Sequence, residues 1–155
     1  MIPKIIHQTW KDEKLNKEYI KIVKEYKNIY KDYQHILWDD NKMRQFIEKH
    51  YTWFLNTYDN YKYNIQRCDS WRYFVLYHYG GIYSDLDIIP KDIIENIDKF
   101  DLLIPETQNT NLNLYKYNLT NSFLISSKNN SFMFYCMNNL EKAKNKFNFL
   151  PHIHI

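Results

Sequence analysis

Apolar positions along this chain recur with two periods. Lys4-Ile5-Ile6-His7-Gln8-Thr9-Trp10 is a short run bounded by polar residues and predicts a first strand. From Leu15 to Tyr30 the apolar residues Tyr19, Ile22, Val23 and Tyr26 fall at helical spacing, which predicts an amphipathic helix. Gln34 to Trp38 predicts a second strand, and Asp39-Asp40-Asn41 closes it with residues suited to cap a helix. Helical spacing resumes from Lys42 to Tyr58. It returns from Asn64 to Tyr79, where Ile65, Cys68, Trp71/Arg72, Val75/Leu76 and Tyr79 form one stripe. Gly80-Gly81 stops that helix, and Ile82-Tyr83-Ser84 follows as a short strand. Pro90 to Phe100 is a connection with one helical turn. Asp101–Pro105 and Ser122–Ser126 predict two more strands, and Ser131–Lys146 a last helix. Strands alternate with helices, and no repeat or linker divides the chain. The pattern predicts one α/β domain over residues 1–155, with a mostly parallel sheet flanked by helices.

Composition sharpens this in one place. A chain of 155 residues at ordinary usage would hold roughly eleven glycines; this one holds two, and they are adjacent. Both glycines in one spot point to a backbone shape there that no Cβ permits. The net charge of +3 comes from scattered lysines matched by acids, without a basic block, so nucleic acid is not the partner the charge favours. The two cysteines, Cys68 and Cys136, lack metal-ligand spacing and read as buried free thiols. No apolar run reaches membrane-spanning length and no export signal is evident, which makes a cytoplasmic location the default expectation and leaves the sequons at Asn118 and Asn129 as chance matches.

Candidate chemistry centres on Asp85-Leu86-Asp87. Residues i and i+2 of a strand point the same way, so this spacing sets two carboxylates on one side. They repel unless a cation lies between them, and Mg²⁺ or Mn²⁺ prefers such oxygen ligands. The ends of strands in open α/β sheets are also where ligands bind. Asp69 and Arg72, three apart, share a face of the helix leading to Gly80; beside a metal–diphosphate site Arg72 is suited to phosphate and Asp69 to sugar hydroxyls. Trp10 follows the first strand at its C-terminal end, and Tyr83 lies two before Asp85.

The stretch D-S-W-R-Y-F-V-L-Y-H-Y-G-G-I-Y-S-D-L-D, Asp69 to Asp87, resembles the signature of the DXD-containing sugar transferases of glycosyltransferase family 32. That family includes the yeast initiating α-1,6-mannosyltransferase and the inositol-phosphoceramide mannosyltransferases, and it is related to the glucosylating clostridial toxins. The opening I-P-K-I-I-H-Q-T-W, the segment Leu37-Trp38-Asp39-Asp40 and Thr120-Asn121-Ser122-Phe123 are similar to further family segments in the right order. The resemblance implies a GT-A-like fold, a UDP- or GDP-linked sugar donor, Mn²⁺ or Mg²⁺, and an acceptor that is a glycan, lipid or protein. It implies that Trp10 stacks on the base, that Asp69 and Arg72 hold sugar and phosphate, and that Tyr83 lies near the ribose. It further implies that Asp87 ligates metal directly, that Asp85 contacts ribose or binds metal through water, and that Asn121 approaches the sugar. Asp85, Asp87 and Arg72 would then be the catalytic set.

Family members run on past this point, so the resemblance implies that the C-terminal part of the family domain is missing after Leu150–Ile155. His152 and His154 would share one side of a strand there, as candidate metal ligands or as exposed terminal residues. Two other readings compete. One is a non-catalytic binding module derived from the same fold. The other is a phosphatase-like enzyme with Asp85 as nucleophile and Asp87 as acid, which would want the motif after the first strand.

Overall fold

The computed structural model describes residues 1–12, 14–106 and 119–144. The elements run β1 (Ile5–Thr9), α1 (Lys17–Ile29), β2 (Gln34–Trp38), α2 (Asp40–His50), α3 (Thr52–Asp59), α4 (Asn64–Tyr79), β3 (Gly81–Ser84), a 3-10 turn (Ile97–Lys99), β4 (Leu102–Leu103), β5 (Phe123–Ser126) and α5 (Ser131–Lys144). Side-chain oxygens start three of the helices. Asn16 accepts from the Tyr19 amide, Asp39 from that of Lys42, and Asn130 from that of Phe132. The helix expected over 42–58 is two helices. Tyr51 leaves helical geometry (φ −141°, ψ 49°) and packs its ring against Phe46 and Phe74, which turns α3 away from α2.

Five strands form one sheet in the order β2-β1-β3-β5-β4. The pairings β1–β2 and β1–β3 are parallel, while β3–β5 and β4–β5 are antiparallel. The α/β class holds, but the sheet is mixed rather than mostly parallel, because β5 runs back against β3 where a helical crossover would have kept it parallel. Alternation along β3 and β5 divides the core. Ile82 and its partner Ile125 join Ile6, Ile22 and Tyr26 under α1. Tyr83 and its partner Leu124 join the larger cluster of α2 to α5 on the other side. Helix α4 runs through that cluster with every residue from Asp69 to Leu76 buried, so it is a central helix and not an amphipathic surface one.

Gly80 and Gly81 sit at φ +69° and +104°. The Gly80 amide ends α4 by donating to the Leu76 carbonyl at 2.8 Å, and its own carbonyl meets His7 Nε2 at 3.0 Å. His7 Nδ1 accepts from the Trp38 indole at 3.2 Å. These bonds fix the neutral imidazole with its proton on Nε2, because a second ring proton would face the Trp38 N–H. Burial accordingly lowers the His7 pKa from 6.5 to about 4, with the Gly80 bond opposing. His35, whose Nε2 meets Gln8 Oε1 at 2.7 Å, is likewise lowered by burial to about 4.

The folded state therefore binds fewer protons than the unfolded chain between about pH 6.5 and 4. The stability these groups give is complete above pH 6.5 and is lost as pH falls through about 4. His7 alone accounts for up to about 3 kcal/mol of that loss. Urea unfolding at stepped pH should show the slope, and His7→Gln should flatten it. An equal slope in that variant would remove His7 as its source.

Candidate active site

Because β1, β2 and β3 are parallel, their C-terminal ends share one edge of the sheet. There Trp10 and Lys11 follow β1, Asp40 follows β2, and Asp85, Leu86 and Asp87 follow β3, and all of them line one cavity of about 350 Å³. Helix α4 adds Cys68 and Arg72 to its wall, and α1 adds Tyr19. The strand itself ends at Ser84. A turn closed by the Ile88 amide on the Asp85 carbonyl at 3.2 Å carries both carboxylates to the cavity.

Arg72 is the pivot of the cavity floor. Its guanidinium is 2% exposed. One terminal nitrogen donates to Asp69 Oδ1 at 2.6 Å and lies 3.4 Å from Asp85 Oδ1; the other donates to the Asn121 carbonyl at 2.6 Å. The plane lies 4.5 Å from the centre of the Tyr83 ring. Burial works against its charge, but Tyr83, Asp85 and Asp69 outweigh that and hold its pKa above the ordinary guanidinium value. Breaking such a pair on one side would strand a buried charge, so the cation is fixed in place.

Three residues placed at the donor by the sequence lie off the cavity wall. Tyr83 is fully buried beneath Arg72, so its ring has no free surface for a ribose; its hydroxyl donates to Asp85 Oδ1 at 2.7 Å and meets Thr9 Oγ1 at 3.1 Å. Asp69 is 4% exposed and its Oδ1 accepts from Arg72, which sets it behind the guanidinium and not among the wall residues. Asn121 meets Arg72 through its backbone, while its side chain lines a separate small recess with Tyr73, Leu124 and Phe132. All three support the site from behind. Trp10, half-buried, does lie on the wall, its ring edge-on to Tyr19 at 4.7 Å. Cys136 is buried as expected, but Cys68 is only half-buried because it faces the cavity.

The charges on the wall leave room for a cation. Among the described residues the wall sets Asp40, Asp85 and Asp87 against Lys11 and Arg72, Asp40 also lies near Arg67, and Asp69 adds a further negative charge behind. Burial raises the Asp85 pKa, opposed by Arg72 and the Tyr83 hydroxyl and reinforced by Asp87. A diphosphate would be repelled from such a surface without a counter-charge. Among the described residues no three His, Cys, Asp or Glu side chains gather around one point. Two carboxylates that leave the rest of the shell to phosphate and water nonetheless fit Mg²⁺ or Mn²⁺. His152 and His154 lie outside the described residues. Also among the described residues, no helix is long and apolar enough to cross a membrane.

A mixed α/β sheet with a D-x-D turn at the end of its central strand is the arrangement of GT-A-like glycosyltransferases. The chain belongs to the family described as the glycosyltransferase sugar-binding region containing the DXD motif, which matches residues 16–109. It is 33% identical over 150 residues to inositol phosphoceramide mannosyltransferase 1 of Schizosaccharomyces pombe, covering 94% of this chain and 45% of that protein. It is 39% identical over 87 residues to inositol phosphoceramide mannosyltransferase 3 of the same yeast, covering 56% and 24%. The mannosyl phosphorylinositol ceramide synthase CSH1 of Saccharomyces cerevisiae matches at 37% over 87 residues, covering 56% and 23%. The chain thus spans less than half the length of the curated relatives it matches. Among solved structures, the PaToxG glycosyltransferase superposes with a TM-score of 0.72 at 15% identity, over 97% of this chain and 64% of that one, which shows a shared fold.

Proposed function

We propose that this chain is the donor-binding catalytic region of a metal-dependent glycosyltransferase that moves a hexose from a nucleoside diphosphate sugar to an acceptor hydroxyl. The observation that carries the reading is the single cavity in which Trp10, Arg72, Asp85 and Asp87 meet from three separate elements. Asp87, with Asp85 beside it, would hold Mn²⁺ or Mg²⁺. Bound there, the cation supplies Lewis-acid stabilisation of the negative charge that gathers on the leaving diphosphate. Arg72 contributes a second positive charge that needs no reorganisation, because Asp69, the Asn121 carbonyl and the Tyr83 ring already hold it. Tyr83 sets the Asp85 carboxylate through its hydroxyl.

No nucleophile–base pair stands beside the motif in the sequence, which suits transfer by front-face attack with retention at the anomeric carbon. The relatives are named for mannose and inositol phosphoceramide. By likeness, mannose is the sugar we infer, and a lipid-linked hydroxyl the acceptor. The phosphatase-like alternative wanted the motif after the first strand, and here it follows β3.

A thermal-shift screen of nucleotide sugars with Mn²⁺ tests the reading, since a ligand that binds the folded state alone raises stability by mass action. The expected result is a rise with one sugar nucleotide that disappears on chelation, together with slow release of free sugar. No rise with any of them would sink it. Trp10 offers a sharper check. Stacking is worth about 1–3 kcal/mol per base, so Trp10→Ala should weaken nucleotide binding roughly five- to a hundredfold. A half-buried ring leaves the fold largely intact. A large drop in melting temperature with unchanged nucleotide affinity would make Trp10 a packing residue instead.

A further inference from the structure

The sheet edge that carries the donor cavity continues past β3. Because β5 runs antiparallel to β3, its start lies beside the C-terminal end of that strand. Phe123 pairs there with Ser84, and the Ser122 carbonyl accepts the Asp85 amide at 2.8 Å. A further groove of about 370 Å³ opens at this point. Ile88, Ile89 and Pro90 line it from the loop that leaves the D-x-D turn, Tyr26 and Tyr30 from α1, and Phe123 from β5. Ile88 belongs to both places, since its amide closes the turn on the Asp85 carbonyl while its side chain lines the groove. Along the edge the order is thus Trp10 after β1, the two carboxylates after β3, and the groove at β5. A nucleotide lying from Trp10 to the cation leaves the β5 side for the molecule that receives the sugar.

The groove has hydroxyls around it, but they satisfy one another. Tyr26 Oη and Ser84 Oγ meet at 2.6 Å, Thr120 Oγ1 and Ser122 Oγ at 2.8 Å, and the Tyr30 hydroxyl is bonded to the Ile94 backbone. Among the described residues the charged side chains of the groove are Lys91 and Asp92, both exposed and opposite in sign. Asp92 Oδ1 already accepts from the Ile93 amide at 2.7 Å. A sugar chain or a peptide laid there would give up hydrogen bonds to water and find few in exchange. A hydrocarbon gives up none. It gains from its own burial and from that of Ile89, which stands 60% exposed on the groove wall.

We propose that this groove takes the hydrocarbon chain of the acceptor. The acceptor is then an amphiphile whose head hydroxyl reaches the donor sugar across the D-x-D turn while its tail lies along Ile88, Ile89 and Phe123. The proposal rests on the donor-site reading above. Of the three acceptor classes that the sequence leaves open, glycan, lipid and protein, it selects the lipid on the strength of this chain's own residues.

Titration calorimetry of the full chain, first with Mn²⁺ and UDP or GDP and then with n-alkyl β-glucosides from methyl to decyl, tests it. The glucosides are kept below the concentration at which they form micelles. Affinity should rise by about fourfold for each methylene that enters the groove and then level off, with one molecule bound per chain. Ile89→Asn, a change at an exposed loop position, should weaken decyl glucoside binding roughly tenfold or more. It should leave methyl glucoside binding, nucleotide binding and the melting temperature as they are in the native protein. Affinity independent of tail length, or the same dependence in the variant, overturns the groove and leaves the transferase reading standing. So does uptake of many glucoside molecules per chain, which is adsorption, or binding to phosphatidylcholine vesicles without binding of the monomeric glucosides, which is contact with a membrane surface. Binding of no nucleoside diphosphate overturns the donor site and the acceptor role of the groove with it.

Discussion

Replacing Gly81 with alanine is expected to lower the melting temperature by roughly 6–20 °C, the equivalent of about 3–5 kcal/mol in a chain of this size. Two costs add. At φ +104° an L side chain is strained whatever space surrounds it, which accounts for about 1–3 kcal/mol. A Cβ there would also fall onto the Ile5 backbone carbonyl, and backbone cannot swing aside as a flexible side chain can. Relief requires β3 to move away from β1, which disturbs the parallel pairing of Ile6 with Ile82 and His7 with Tyr83. The site would suffer with the fold, because Tyr83 and Asp85 follow directly. Gly80→Ala should be costly too, since its Cβ would come within 2.7 Å of the Lys128 amide nitrogen and 2.8 Å of Pro3 Cδ. Circular dichroism melts of both variants check this. A Gly81→Ala protein melting within 2 °C of the native one would show that the β1–β3 contact has room for a methyl group.

The glycine pair was legible because the chain is otherwise almost free of glycine, so its composition singled out one place. The Asp69–Arg72 pair was legible because spacing along one helix decides which side chains share a side; the D-x-D carboxylates do reach one cavity, but on a turn after β3 and not by the alternation of a strand. What sequence could not carry is depth. The spacing that put Tyr83 with Asp85 was right, and the two do meet at 2.7 Å. Yet period two cannot tell a wall residue from one sealed beneath it by α4. The depth of Asp69 was hidden likewise, since an i,i+3 pair looks the same on a surface helix as on one buried all round. Asp40 went unread for the opposite reason. In the sequence it is one of two acids at a helix start, and only the placement of β2 beside β1 brings it to the rim of the cavity that Trp10 lines. The antiparallel return of β5 depends on its pairing with β3, which no local pattern encodes.

Asp87 and Asp85 should separate cleanly when each is changed to alanine. Asp87 is exposed at the cavity, and among the described residues it makes no hydrogen bond or ion pair, so both of its oxygens are open to a ligand. Asp85 is only half-exposed, and its Oδ1 already accepts from the Tyr83 hydroxyl and neighbours Arg72. Asp87→Ala should therefore leave the melting temperature nearly unchanged while abolishing the Mn²⁺-dependent part of nucleotide binding. Transfer activity should fall by at least about a hundredfold, the scale on which removal of a single transition-state charge stabiliser acts. Asp85→Ala should weaken Mn²⁺-dependent binding less. It should cost about 1–3 kcal/mol of stability, because Arg72 loses one of its two carboxylates and the Tyr83 hydroxyl loses its acceptor. Calorimetry with and without Mn²⁺, set beside the melting temperature of each variant, reads both halves. If Asp85→Ala alone removed the metal dependence, the roles of the two carboxylates would be exchanged. If neither variant lost it, the motif would not be where the cation binds.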